Sequence, residues 1–294
     1  MMRKWFGKWG WVAISICFTI SVVSGLWAIA NDLRKPSDIE TLHQSVLYPV
    51  VRVRSMDSGG SGTIIYSKQN AKQQYETFVL TNHHVIESAI QVTSEWDPNL
   101  RKEVKKEKRA TVTVEIFQYK NLSENIGRFA MDADIVAYSA RHDLGLLKLR
   151  SSEKAAYVAK LMTKDKVDMI KVFQKVFAVG CSLGHPPIQT EGSIMSISDE
   201  IESEKFWMTN AAIIFGNSGG AVFLAETQEF VGVPSRVAVT GFYAVSHMAY
   251  SIPLSRVYQW LEEANYQFVY DDKMTSEACE ALRKKKAEPK EEKP

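Results

Sequence analysis

The sequence predicts an all-β protein built as two β-rich halves, and three observations carry that prediction. Short runs rich in β-branched and aromatic residues recur along most of the chain, separated by glycine, asparagine and charged turns. Strands at this spacing form a barrel or a sandwich. A stretch without alternation, "SSEKAAYVAKLMTKDKVDMIK", divides the runs into two series. The bulk numbers agree: 294 residues, 45% hydrophobic and 24% charged, suit one large domain or two small ones.

The chain opens with "MMRKWFGKWG", which holds three basic residues and no acid, followed by residues 11–30, "WVAISICFTISVVSGLWAIA", without a charge. About 20 apolar residues span a bilayer as a helix, and basic residues ahead of the run hold that end in the cytoplasm. Ala28-Ile29-Ala30 also fits the small-x-small rule of signal cleavage. Residues 1–30 therefore read as a membrane anchor or a signal peptide, and in either case the remainder is expected outside the cytoplasm. Residues 31–44 read as a linker with a short helix, because Ser37 and Glu40 form a capping box that starts a helix near Asp38.

The first series of strands is "YPVVRV", "GTIIY", "TFVLTN", "AIQVT", "TVTVEIF", "DIVAYSA" and "LGLLKL". "NLRKEVKKEKRA" interrupts it, and its mixed charges read as a solvated hairpin loop. The second series is "KVFAVG", "GSIMSIS", "FWMTNAAI", "GAVFLA", "EFVGVP" and "VTGFYAV". "PLSRVYQWLEEANY" places apolar residues at 254, 257, 258 and 261, the spacing of a helix over 254–266. Residues 269–294 are expected to be a charged, disordered tail, their end being rich in lysine, glutamate and proline.

Composition excludes several classes. A net charge of +2 gives no reason to expect a nucleic-acid partner. Cysteines at 17, 181 and 279 have no paired spacing, which excludes a disulfide scaffold and a cysteine-based zinc site. No metal and no cofactor is expected. Cys181 follows Gly180 in a loop and reads as a small packing residue.

"FGNSGGAV", residues 215–222, sets Ser218 among glycines. Serine becomes a nucleophile only when a base takes its proton, and histidine suits that task near neutrality. "VLTNHHVI" puts His83 and His84 at the end of an apolar strand, and the residues alone leave the choice between them open. The base needs an acid to fix its tautomer. "RHDLGLLKL" supplies Asp143 just before a strand, with Asp132 and Asp134 as nearby rivals.

"TNHHV", "DLGLLKL" and "GNSGG", in the order His, Asp, Ser, resemble the trypsin-like serine protease superfamily, and most closely its Deg/HtrA-type protease domains. The resemblance covers about residues 45–265 and takes in "GSGTII", "AVGCSLG…EGSIMSIS" and "YSIPLSRV". It implies two six-stranded β-barrels, about 45–152 and 171–252, in a domain of about 45–268. It implies an endopeptidase acting on protein or peptide substrates through an acyl-enzyme, with His84 as base, Asp143 as acid and Ser218 as nucleophile. Gly145 stands in place of the family's usual alanine. The N–H groups of Gly216 and Ser218 would form the oxyanion hole, where each donor can be worth several kcal/mol. By the family's register Ala212 lies at the floor of the primary pocket, with walls from "EFVGV" and "HMAYS" through Val233 and Ala249. The one acid in these segments is Glu229 at a strand edge, which leaves a substrate lysine or arginine without a buried partner, so small or medium aliphatic side chains are expected before the scissile bond.

The departures also carry expectations. About thirty residues follow the last helix, too few for the PDZ domain that such proteins usually carry. The proline common before G-N-S-G-G is missing. Asn217 is neutral where the digestive branch of the superfamily has an aspartate that binds a freed N-terminal ammonium, so no activating cleavage is expected. Two other functions fit the same residues: a catalytically silent binding or scaffold module, and a glutamyl-endopeptidase-like enzyme using His247 near the pocket strands.

Overall fold

The computed structural model describes residues 38–98 and 101–287. The chain divides into two units, 1–41 and 42–294, and of the first only the residues from Asp38 onward are described. The apolar run 11–30 and Ser37 of the capping box lie outside the described residues. Among the described residues no helix is long and apolar enough to cross a membrane.

Helix α1 (Asp38–Leu42) runs into a π-helical turn, His43–Leu47. Next come β1 (Val50–Arg54), β2 (Gly59–Gln69), β3 (Tyr75–Thr81) and the single-turn α2 (His83–Ile86). Strands β4 (Ile90–Asp97) and β5 (Lys102–Arg109) pair only with each other. Strands β6 (Val112–Lys120), β7 (Glu124–Ser139) and β8 (Leu144–Leu149) complete a barrel in the order β1-β2-β3-β8-β7-β6. It closes where Arg52 pairs with Glu115 and Arg54 with Thr113.

After α3 (Lys164–Val167), the second barrel is built from β9 (Lys175–Gly180), β10 (Ile188–Ile201), β11 (Glu204–Thr209), β12 (Ala221–Leu224), β13 (Phe230–Thr240) and β14 (Tyr243–Pro253). Its order is β10-β11-β14-β13-β12-β9, also closed. Helices α4 (Leu254–Glu263) and α5 (Ser276–Ala287) follow. Both barrels are all antiparallel, so every strand neighbour is reached without a crossover helix.

Side chains alternate across a strand, and here both faces of the first barrel's strands are buried. Val51, Val53, Val79, Leu147 and Leu149 point into that barrel and form its core. Their neighbours Val50, Phe78, Leu80, Leu144 and Leu146 belong instead to the cluster that fills the second barrel. Burial on both faces is the reason "LGLLKL" reads as a near-continuous apolar run. Each fully buried valine or leucine contributes roughly 1.5–3 kcal/mol, so the seam between the barrels is a core in its own right. Leu254, Val257, Tyr258 and Leu261 of α4 are buried in it as the helical spacing requires.

Two expectations change. The stretch expected as a charged loop is the extended strand β5, paired along its whole length from Lys102↔Asp97 to Arg109↔Ile90. Its charges are compatible with a strand because the hairpin stands out from the barrel and both of its faces meet water. The segment expected to be a disordered tail is ordered as far as residue 287. Thr275 caps α5, its Oγ1 accepting from Ala278 N at 3.1 Å, and Cys279 is completely buried. The Arg283 guanidinium lies 4.1 Å from the centroid of the Tyr266 ring, so its stem covers apolar surface.

Candidate active site

His84 sits on α2, the turn that follows β3, half-exposed at the edge of the first barrel. Asp143 ends the turn before β8 with φ of 51°, a left-handed conformation that aspartate tolerates better than most residues. Asn82 holds that conformation, its Nδ2 donating to the Asp143 carbonyl at 2.7 Å. The Asp143 carboxylate then faces His84. Both of its oxygens lie 2.9 Å from His84 Nδ1, and Oδ1 also accepts the His84 backbone N–H at 3.1 Å. Such an acceptor holds the Nδ1 proton and leaves Nε2 as the basic nitrogen.

His83 turns elsewhere, its ring stacked on Tyr138 at 5.2 Å. Asp134 is paired at 2.7 Å with Arg150, the residue that follows β8. Of the candidate bases and acids, the structure brings His84 and Asp143 together.

A third group reaches Asp143 from the second barrel. Ser235 Oγ donates to Asp143 Oδ2 at 2.7 Å. On β13, Pro234 pairs with Ser251 and Arg236 with Tyr250, which leaves Ser235 as the extra residue of a bulge. Bulges re-aim side chains next to functional sites, and this one turns a hydroxyl across the seam. Ser235 was not legible beforehand, since "VGVPSRV" contains nothing that marks its serine as functional.

Burial alone raises the Asp143 pKa, but the hydrogen bonds and charge of His84 and the Ser235 hydroxyl outweigh it, leaving the carboxyl below its ordinary value. A depressed carboxyl stabilises the fold fully above its unfolded pKa of about 3.9, and that contribution is lost as pH falls through the folded pKa. Between about pH 5 and pH 2, the stability gap between wild type and Asp143→Asn, read from urea unfolding, should shrink once pH falls below about 4. A gap that grew on acidification would contradict this reading.

Ser218 lies in the tight loop before β12. Its carbonyl accepts from Ser61 N at 2.8 Å, and Gly219 N donates to the Pro234 carbonyl at 3.0 Å, so the loop is tied to both barrels. Gly219 has φ of 82°, and a Cβ there would stand 2.2 Å from the Ser61 carbonyl oxygen. Only glycine fits this crossing. Ser218 Oγ donates to the Ser235 carbonyl at 3.4 Å, and no hydrogen bond joins it to His84.

The residues before Ser218 are held from one side. Leu183 N donates to the Phe215 carbonyl at 2.8 Å and Ser61 Oγ to the Gly216 carbonyl at 2.6 Å. Gly216 has φ of 94°, and a Cβ there would meet the Cys181 carbonyl at 2.4 Å. With those carbonyls turned away, the N–H groups of Gly216 and Ser218 donate to no atom among the described residues. Asn217 is completely buried, and its Oδ1 accepts from Ser182 Oγ at 2.7 Å. Cys181 is buried in the same turn, with burial pushing its thiol up to about 12, far from a reactive thiolate.

The pocket residues are not brought to a common surface. Ala212 is exposed, its carbonyl accepting from Thr190 Oγ1 at 2.9 Å. Val233 and Ala249 are both completely buried in the second barrel's core. They face inward because side chains alternate along β13 and β14, so neither offers a wall to a substrate side chain. His247 is exposed on β14. An open recess lies instead beside Gly216, lined by β1 and the residues that follow it.

The family model of trypsin-like peptidase domains matches residues 60–233, more than half of the chain. Among solved structures, the fold is similar to that of the HtrA-type protease AlgW, determined as a serine-to-alanine variant with a tripeptide. The TM-score is 0.55 at 18% identity, over 77% of this chain and 62% of that one. It is also similar to Deg5, with a TM-score of 0.51 at 22% identity, over 74% of this chain and 90% of that one. At these identities the likeness concerns the fold. No curated protein matches.

Proposed function

Since the chain belongs to the family of trypsin-like peptidase domains, we propose that it is a serine endopeptidase acting on protein or peptide substrates. One observation carries the proposal: residues from three separate motifs converge on one seam, with His84 Nδ1 held by Asp143 at 2.9 Å and two unengaged N–H groups at Ser218 and Gly216.

In this reading His84 Nε2 takes the Ser218 proton as Oγ attacks the scissile carbonyl, and the carbonyl oxygen becomes an oxyanion bound by the two N–H groups. His84 then returns the proton to the leaving amine, the C–N bond breaks, and an acyl group remains on Ser218. Water, deprotonated by the same histidine, releases it. Asp143 orients His84 and balances its positive charge, and Ser235 positions Asp143. The Ser218 hydroxyl rests against the Ser235 carbonyl and must turn to His84 for the first step. A fluorophosphonate probe tests the assignment. Incubated with the full chain, it should form one adduct, on the peptide that contains Ser218. Failure to label, or labelling of another residue, would overturn it.

Asn217 leads to a second expectation. A buried ammonium needs a charged partner, whereas Asn217 is neutral and already accepts the Ser182 hydroxyl. The chain should therefore hydrolyse peptide with an N-terminal tag in place. Activity that appears only after a protease has cut ahead of β1 would refute this.

The uncharged run 11–30, behind three basic residues, supports a retained membrane anchor with the peptidase outside the cytoplasm. Intact mass of the protein recovered from membranes should then include residues 1–30. A mature N-terminus at Asn31 would identify the run as a cleaved signal.

A further inference from the structure

We infer that the recess beside Gly216 is a subsite for an acidic side chain of the substrate, on the leaving-group side of the scissile bond, with Arg54 as its specificity determinant. The inference rests on the serine endopeptidase reading and adds a substrate class to it. The recess has a volume of about 480 Å³ and is lined by Arg52, Arg54, Met56, Asp57, Gly60 and Gly216 among others. It therefore lies beside Gly216, one of the two residues whose N–H groups are assigned to the oxyanion.

Its side of the scissile bond follows from the base. His84 must protonate the leaving amine, so that half of the substrate lies along the wall carrying α2. The recess is on this wall: Ser58, also in its lining, donates to the Val85 carbonyl at 2.8 Å. A Cβ on Gly60 would touch Val85 Cγ2 at 2.7 Å. The other wall, where Ser218 meets Ser235, belongs to β13.

Its charge follows from an unequal ion cluster. Among the described residues one acid, Glu115, with a side chain 4% exposed, faces three arginines. Arg52 engages one of its oxygens and also donates to the Gly184 carbonyl. Arg128 Nε holds the other at 3.0 Å. Arg54 stands third in line, 3.6 Å from an oxygen already taken, with its side chain 60% exposed. Asp57 offsets part of the surplus but makes no ion pair among the described residues. Of the two arginines that line the recess, Arg54 is thus the one with donors to spare, and its planar fork matches a carboxylate. Glutamate or aspartate within the first three positions after the cut is the chemistry that this recess recognises.

The test uses the full chain and a proteome-derived peptide mixture at physiological salt. Cuts made by the wild type, mapped by mass spectrometry, should show acidic residues enriched about fivefold in those three positions, the upper range for a partly exposed ion pair. Arg54→Gln should lose the enrichment, and Arg54→Glu should replace it with lysine and arginine. A second arm needs no hydrolysis: Ser218→Ala should retain acidic peptides from the mixture, and Ser218→Ala with Arg54→Glu should not. Cutting without acidic enrichment would overturn the subsite and leave the endopeptidase standing. Retention of acidic peptides by a wild type that cuts nothing would do the reverse. Neither cutting nor retention would overturn both.

Discussion

Ser218→Ala is expected to abolish hydrolysis of casein by the full chain, lowering kcat/KM by about four to six orders of magnitude. The substitution removes the attacking oxygen. It spares the Ser61–Ser218 and Gly219–Pro234 backbone bonds that hold the loop, so the urea midpoint should stay within error. His84→Ala should cost about as much, because base and nucleophile act as a unit. His83→Ala should keep most of the activity, since its ring packs on Tyr138 rather than on Asp143. Casein cleavage by purified Ser218→Ala at the wild-type rate would remove this serine from the mechanism.

Glu115→Ala is expected to cost about 3 kcal/mol of stability in urea unfolding, because the side chain is buried. Removing one partner of a buried pair is costly because the other charge stays behind, unpaired. Here the charge left behind is Arg52, whose side chain is 16% exposed, while Arg54 and Arg128 can turn to water. Arg128→Ala provides the contrast. That side chain is half-exposed, and its loss should cost no more than about 1 kcal/mol. Equal effects of the two substitutions would show that Glu115 does not hold the β1–β6 closure together.

The parts of the site that could be read in advance are those encoded by neighbouring residues. "TNHHV" ends a strand and "GNSGG" forces left-handed turns at Gly216 and Gly219, so each side chain announces its own context. Ser235 and the recess are different in kind. Whether a residue on β13 faces core or seam depends on its register against β14, and the bulge between Pro234 and Arg236 shifts that register. A one-residue shift sends a side chain to the opposite face. Val233 and Ala249, named as pocket walls from the resemblance, are buried in the core of the second barrel. The fold was legible as two β-rich halves because alternation and turns are local signals. The ordered α5 was not, because Thr275 and Cys279 act through a cap and a single buried contact inside a lysine-rich stretch.

In the proposed mechanism the two barrels divide the chemistry between them. His84 and Asp143 hang from the first, whereas Ser218 and Ser235 hang from the second. That mechanism has its acid–base pair within one barrel, and the nucleophile reaches it only across the seam. Docking is reported at the site by slender links, chiefly Ser61 to Ser218 and Ser235 to Asp143. On the proposed mechanism, a shift of one barrel against the other would separate Ser218 from His84 while every strand stayed paired. On that mechanism, competence is a property of the joint rather than of either barrel.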